Sequence, residues 1–258
     1  MALSHTAHEL DQLVTGSGEP VTVVAHGLGA SIAETRPLLT GVAGTKVFYA
    51  ARGHGASPLP PGPFDYDVLG RDLEAVAGDA TAAVGVSMGA GALLSLLARR
   101  PDRFARAVIA LPAALDRPRT DGAVCRLLAL ADALDAGDAE QVHRLVLQEV
   151  PAELRSAPGV AAYASSRTVA LLASPGVAVA LRALPQAVPV VDASVLGAVT
   201  AQVLVLAQEG DPLHPAQVAR DLVALLPRAR LVVFDRPGML LRERARLREL
   251  VPAALAQA

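Results

Sequence analysis

The chain has no tryptophan, a single cysteine, a single lysine and no histidine beyond His214. Each absence excludes something. With no second cysteine, Cys125 has no disulfide partner and no zinc framework, so it reads as a small helix residue. Lys46 stands alone among 23 basic residues in an alanine-rich chain, a bias of base composition rather than of function. Aromatic residues make up 3% of the chain, which leaves little for stacking flat substrates and favours aliphatic or alicyclic ones. The formal net charge of -2 gives no electrostatic case for nucleic acid. No apolar run reaches bilayer length, and residues 1–10 carry two histidines and a glutamate in place of a signal-peptide core. A cytoplasmic protein with no membrane partner is expected.

What is present is apolar and periodic. A chain of 258 residues, 52% of them hydrophobic, can bury one large core. Short apolar runs at 21–25, 46–50, 81–86, 106–111, 202–206 and 230–234 alternate with helical patterns at 32–39, 67–77, 88–100, 215–226 and 242–255. Most of the runs lack polar alternation, as parallel strands covered on both faces do. Residues 9–14 suggest an antiparallel edge strand. Between 116 and 198 the pattern changes to helices alone, at 124–134, 139–149, 161–172 and 177–184. A structureless loop of that length has no place in a compact domain, so an inserted helical cap over the carboxyl ends of the strands is expected.

Four short motifs stand at strand ends. His26-Gly27-Leu28-Gly29 follows the first run, and Arg52-Gly53-His54-Gly55-Ala56-Ser57 follows the second. Gly85-Val86-Ser87-Met88-Gly89 ends the third, and Gly210-Asp211-Pro212-Leu213-His214-Pro215 follows the penultimate one. In this order they resemble the α/β-hydrolase superfamily, over nearly the whole chain. The resemblance implies an α/β fold with a mostly parallel eight-stranded sheet and helices on both faces. Its core would be residues 1–115 and 199–258, and its helical cap residues 116–198. It also implies roles. Ser87 would be a nucleophile on a strained strand-to-helix turn, the Leu28 and Met88 N–H groups an oxyanion hole, and Asp211 the acid of a triad. No metal and no cofactor are implied.

One part is missing from its usual place. A serine hydroxyl needs a base, and in this family a histidine in the loop after the last strand supplies it. Here that loop reads Asp235-Arg236-Pro237-Gly238-Met239-Leu240, and the Met239 thioether cannot accept a proton at neutral pH. His214, three residues beyond Asp211, is the expected substitute, with Glu243 as second choice and Asp116 as an alternative acid. His26 and Met239 are expected along the substrate wall, His26 as a structural side chain and not a base. His54 reads as a loop histidine held by hydrogen bonds, His143 as a residue of a cap helix, and His5 and His8 as parts of the N-terminal stretch. A Met239→His change is expected to set an imidazole between Asp211 and Ser87.

Three functions fit this inventory, each with a small-molecule partner. The first is hydrolysis of a small, largely apolar ester, thioester or lactone. The second is non-hydrolytic chemistry of lyase, cyclase or isomerase type on the same scaffold. The third is ligand binding by a decayed site.

Overall fold

The computed structural model describes residues 10–174 and 176–256. His5, His8 and the first residue of the expected edge strand lie outside them. Seven strands form one sheet: β1 (Gln12–Thr15), β2 (Val21–Ala25), β3 (Thr45–Tyr49), β4 (Ala82–Val86), β5 (Arg106–Ala110), β6 (Gln202–Gln208) and β7 (Ala229–Phe234). Their order is β1-β3-β2-β4-β5-β6-β7, and only β1 runs antiparallel to its neighbour. The expectation of eight strands is therefore corrected to seven among the described residues. The six apolar runs and the edge strand account for all of them, and the eighth had come from the family resemblance alone.

The helices follow the expected periodicity closely. They are α1 (Ile32–Thr35), α2 (Tyr66–Ala77), α3 (Met88–Arg99), α4 (Gly122–Asp135), α5 (Ala139–Glu149), α6 (Val160–Leu172), α7 (Gly176–Ala183), α8 (Ala216–Leu225), α9 (Met239–Arg242) and α10 (Arg244–Leu255). Local chemistry sets several starts. Asp65, Asp121 and Asp138 cap α2, α4 and α5, each side chain accepting a backbone N–H of the first turn. Such a cap contributes about 1 kcal/mol.

Adjacent strand residues face opposite layers. Val23, Ala83 and Ile109 pack with Leu73 of α2, Leu93 of α3 and Leu222 of α8. Val24, Val84 and Val108, each one position away, pack with Leu247 and Val251 of α10. Both faces are apolar, which is why the strands carry no polar alternation. The helices between β5 and β6 bury a smaller core of their own around Leu130, Val142, Val146 and Leu171. No single helix among the described residues is long and apolar enough to cross a membrane.

The topology positions the site. From β2 the chain goes outward to β3, then returns to place β4 on the other side of β2. The reversal leaves a crevice at the carboxyl ends of the strands, the general ligand position of open α/β sheets. Because β2, β4, β6 and β7 are parallel, the loops after all four emerge along that one edge.

Candidate active site

Ser87 follows β4 directly and caps α3 with φ 51° and ψ −108°, a region side chains rarely adopt. Its N–H donates to the Ala110 carbonyl at 2.9 Å and its own carbonyl accepts from Gly91 N–H at 3.1 Å. The turn holds a non-glycine residue at positive φ at a cost on the order of 1–3 kcal/mol. Its flanking glycines are steric necessities. A Cβ on Gly85 would strike the Gly89 backbone, and one on Gly89 would strike the Ala25 carbonyl. The expected sharp turn is thus present, with Ser87 on the wall of a cavity of about 560 Å³.

His214 lies where a base is needed. Its Nε2 is 2.8 Å from Ser87 Oγ and its Nδ1 is 2.8 Å from Asp211 Oδ2. The three groups are therefore joined in one line, with Nδ1–H donating to the carboxylate and Nε2 accepting from the serine hydroxyl. Asp211 is well supplied with donors. Oδ1 accepts the N–H groups of Leu213 (2.8 Å) and His214 (3.2 Å), and Oδ2 also accepts from Gln208 Nε2 at 2.6 Å. Burial would raise its pKa, but the bond and charge of His214, with the Gln208 and Leu213 donors, outweigh that. They hold it well below the usual carboxylate range.

Arg119, just before α4, braces the same loop from outside. Its Nη1 donates to the Leu213 carbonyl at 2.5 Å, and its Nη2 donates to Pro212 O at 3.2 Å and Asp121 at 2.9 Å. Sequence reasoning missed Arg119 and Gln208. Gln208 is 5% exposed at the end of β6, and its Oε1 accepts the Met239 N–H at 2.7 Å, which fixes the orientation of the amide. The signal was available: a glutamine ends a strand whose preceding residues, 203–207, are all apolar and buried.

Met239 contributes to the cavity wall but does not take the place of the missing histidine. Gly238 at φ 91° starts the short helix α9, and the Met239 side chain is fully buried in the core with Val86, Leu206 and Phe234. The place between Asp211 and Ser87 is filled by His214. Glu243 and Asp116, the reserve base and acid, are not on the cavity wall, and Asp116 instead lies 3.9 Å from Arg117.

The loop after β2 is held from behind by two histidines. His26 Nε2 accepts Ala51 N–H at 2.9 Å and its Nδ1–H donates to the Gly27 carbonyl at 2.7 Å. His54 Nε2 accepts Gly29 N–H at 3.0 Å and its Nδ1–H donates to the Arg52 carbonyl at 3.0 Å. Gly27 and Gly29 are tied, and the N–H of Leu28 between them has no acceptor among the described residues. The Met88 N–H has none either. Both residues line the cavity beside Ser87. The expectation that His26 contacts substrate is corrected: the ring is 2% exposed, both nitrogens serve the backbone, and it is not on the cavity wall.

Burial, opposed only weakly by these backbone bonds, lowers the pKa of His26 to about 4. Burial and the neighbouring His26 ring lower that of His54 to about 3. Both are thus neutral when folded and bind protons more readily when unfolded. The stability tied to their neutral state is fully present above pH 6.5, the ordinary value, and is lost as pH falls toward 4 and then 3. Each contributes a slope of about 1.4 kcal/mol per pH unit within its window. Thermal melting should therefore drop steeply on the acid side, and His54→Gln, which keeps an acceptor for Gly29 N–H, should flatten the slope by one proton. An unchanged slope would mean that His54 is already protonated in the fold.

Several solved structures share this architecture. An enol-lactonase from Burkholderia xenovorans LB400 superposes with a TM-score of 0.79 at 21% identity, covering 96% of each chain. An esterase from Exiguobacterium antarcticum gives 0.74 at 20% identity over 95% of each. A 2-hydroxy-6-oxo-6-phenylhexa-2,4-dienoate hydrolase from Rhodococcus sp. strain RHA1 gives 0.75 at 24% identity, covering 94% of this chain and 93% of that one. Identities this low speak to the fold alone. No curated protein matches the chain in a sequence comparison. The family model for the alpha/beta hydrolase fold, however, matches residues 20–238, and the chain belongs to that family.

Proposed function

We propose that the protein is a serine hydrolase acting on small, largely apolar esters, thioesters or lactones. Ser87 is the nucleophile, His214 the base and Asp211 the acid that orients it. The observation that carries this is the 2.8 Å contact between His214 Nε2 and Ser87 Oγ. A decayed binding site would leave the serine without a base, and this one has a base backed by a carboxylate. The cavity wall supports the substrate class, since Leu28, Leu111, Leu130, Leu171 and Leu181 contribute to it. Residues 116–198 act as the cap, because α4 to α7 supply much of that wall.

The chemistry follows from the arrangement. Ser87 Oγ attacks the substrate carbonyl carbon while His214 Nε2 takes its proton. The oxyanion forms beside the free N–H groups of Leu28 and Met88, which are already oriented and cost no reorganisation. Collapse expels the alkoxide or thiolate, which receives the proton from the imidazolium. Water then repeats the sequence on the acyl-enzyme. Asp211 stays ionised throughout and holds Nδ1–H, so that Nε2 is the nitrogen presented to the serine.

An activated fluorophosphonate tests this directly. It should label the protein at Ser87, and Ser87→Ala should abolish labelling without loss of fold. A folded protein that resists the reagent, or labelling that survives Ser87→Ala, would overturn the assignment.

A further inference from the structure

Among the charged side chains on the cavity wall, the cluster around Arg167 has no task in the hydrolytic reading. Arg167 of α6 has a side chain 9% exposed, paired with Glu34 Oε2 at 2.8 Å and Glu149 Oε2 at 3.5 Å. Its Nη2 also lies 3.4 Å from the Leu28 carbonyl, so the patch adjoins the loop that presents the oxyanion donor. The network is not saturated. Arg167 Nε is buried with no acceptor, and neither the Glu149 carboxylate nor the Tyr163 hydroxyl makes a hydrogen bond among the described residues. All four side chains line the cavity. Glu149 is exposed and Tyr163 partly so, and both groups stand open to whatever fills the cavity, where a ligand of matching chemistry can pair with them in place of water.

Charge and valence narrow that partner. At Arg167 itself two carboxylates, Glu34 and Glu149, already face the one guanidinium, so a substrate carboxylate or phosphate would have to displace them. An ammonium would have to compete with Arg167 for the same two carboxylates. A hydroxyl suits both sides, since it donates to Glu149 and accepts from Tyr163 or the guanidinium. We propose that Arg167, Glu149 and Tyr163 form a subsite for a neutral hydroxyl on the substrate, which makes hydroxylated esters and lactones the preferred class. The proposal rests on the hydrolase reading for the reaction but not for the recognition.

Binding separates the two. N-alkyl amides have the shape of the esters without being readily turned over. They would be prepared unsubstituted and with a hydroxyl, a carboxylate or an ammonium at successive carbons of the acyl chain, and measured by calorimetry. At the best-placed carbon the hydroxyl should tighten binding by about tenfold or more, the usual return of a hydrogen bond to a charged acceptor. The carboxylate and ammonium should weaken it. Glu149→Gln and Tyr163→Phe should each remove most of the hydroxyl advantage while leaving the unsubstituted amide unchanged. Glu34 keeps Arg167 paired in the first variant, so the fold is preserved. A carboxylate or ammonium that binds tightest would overturn the subsite. So would a hydroxyl advantage that is absent at every carbon or intact in both variants. A hydroxyl preference in a protein that resists the fluorophosphonate would overturn the hydrolase reading alone.

Discussion

Replacing His214 with alanine should lower kcat for a short-chain nitrophenyl ester by on the order of 10³ to 10⁶, with the fold intact. The range follows from what remains. Removing the imidazole leaves Ser87 with no group to take its proton, while the free N–H groups of Leu28 and Met88 still favour the oxyanion and sustain a residual rate. His214 is partly exposed in a loop, so its removal opens no cavity in the core, and circular dichroism melting should move little. Combining His214→Ala with Ser87→Ala should cost scarcely more than either alone, because the two act as one unit. A rate unchanged in folded His214→Ala would remove this residue from the mechanism.

Met239→His, by contrast, should bring no gain in activity and a clear loss of stability. The family pattern makes this position look like an empty socket for an imidazole, yet the socket is elsewhere. Met239 is fully buried among Val86, Leu206 and Phe234, and its N–H holds the Gln208 amide that in turn donates to Asp211. An imidazole there exchanges a flexible thioether for a polar ring at a fully buried position, where the apolar layer meets the cavity wall. The cost is roughly 2 to 4 kcal/mol, a fall of several degrees in Tm for a chain of this length. Any shift of the Met239 backbone would also disturb Gln208. A variant that melts like the parent and hydrolyses esters faster would show that the ring reaches Ser87 after all.

The central strands were legible because they are apolar on both faces, and a run such as Ala107-Val108-Ile109-Ala110 admits few other placements. The turn at Ser87 was legible because only small residues fit beside the Ala25 carbonyl, so the glycine spacing reports the turn itself. The placement of His214 was only half legible. Spacing put His214 near Asp211, but its reach to Ser87, 127 positions away in sequence, depends on how β4 and β6 are staggered across β5. His26 has the structural role expected of it, but not the expected place on the substrate wall, because position in a motif says nothing of which way a ring turns. Its nitrogens turn inward, toward the backbone of Gly27 and Ala51. Gln208 passed unnoticed because an amide at a strand end has meaning only once its two partners, from separate loops, are seen together.

Asp211 and His214, the proposed acid and base, stand three residues apart on one short loop, tied by the Leu213 and His214 N–H groups to Asp211 Oδ1 and braced by Arg119. Local opening is therefore a single event that takes away both groups at once. Where acid and base ride on separate loops, two independent closures multiply; here the competent population is that of one segment. The measured kcat is the intrinsic rate scaled by that closed fraction, and an opening free energy of about 1.4 kcal/mol already leaves roughly a tenth of the molecules silent. Hydrogen exchange at the Leu213 and His214 amides reads that fraction directly, so the clock of this enzyme can be followed without any substrate present.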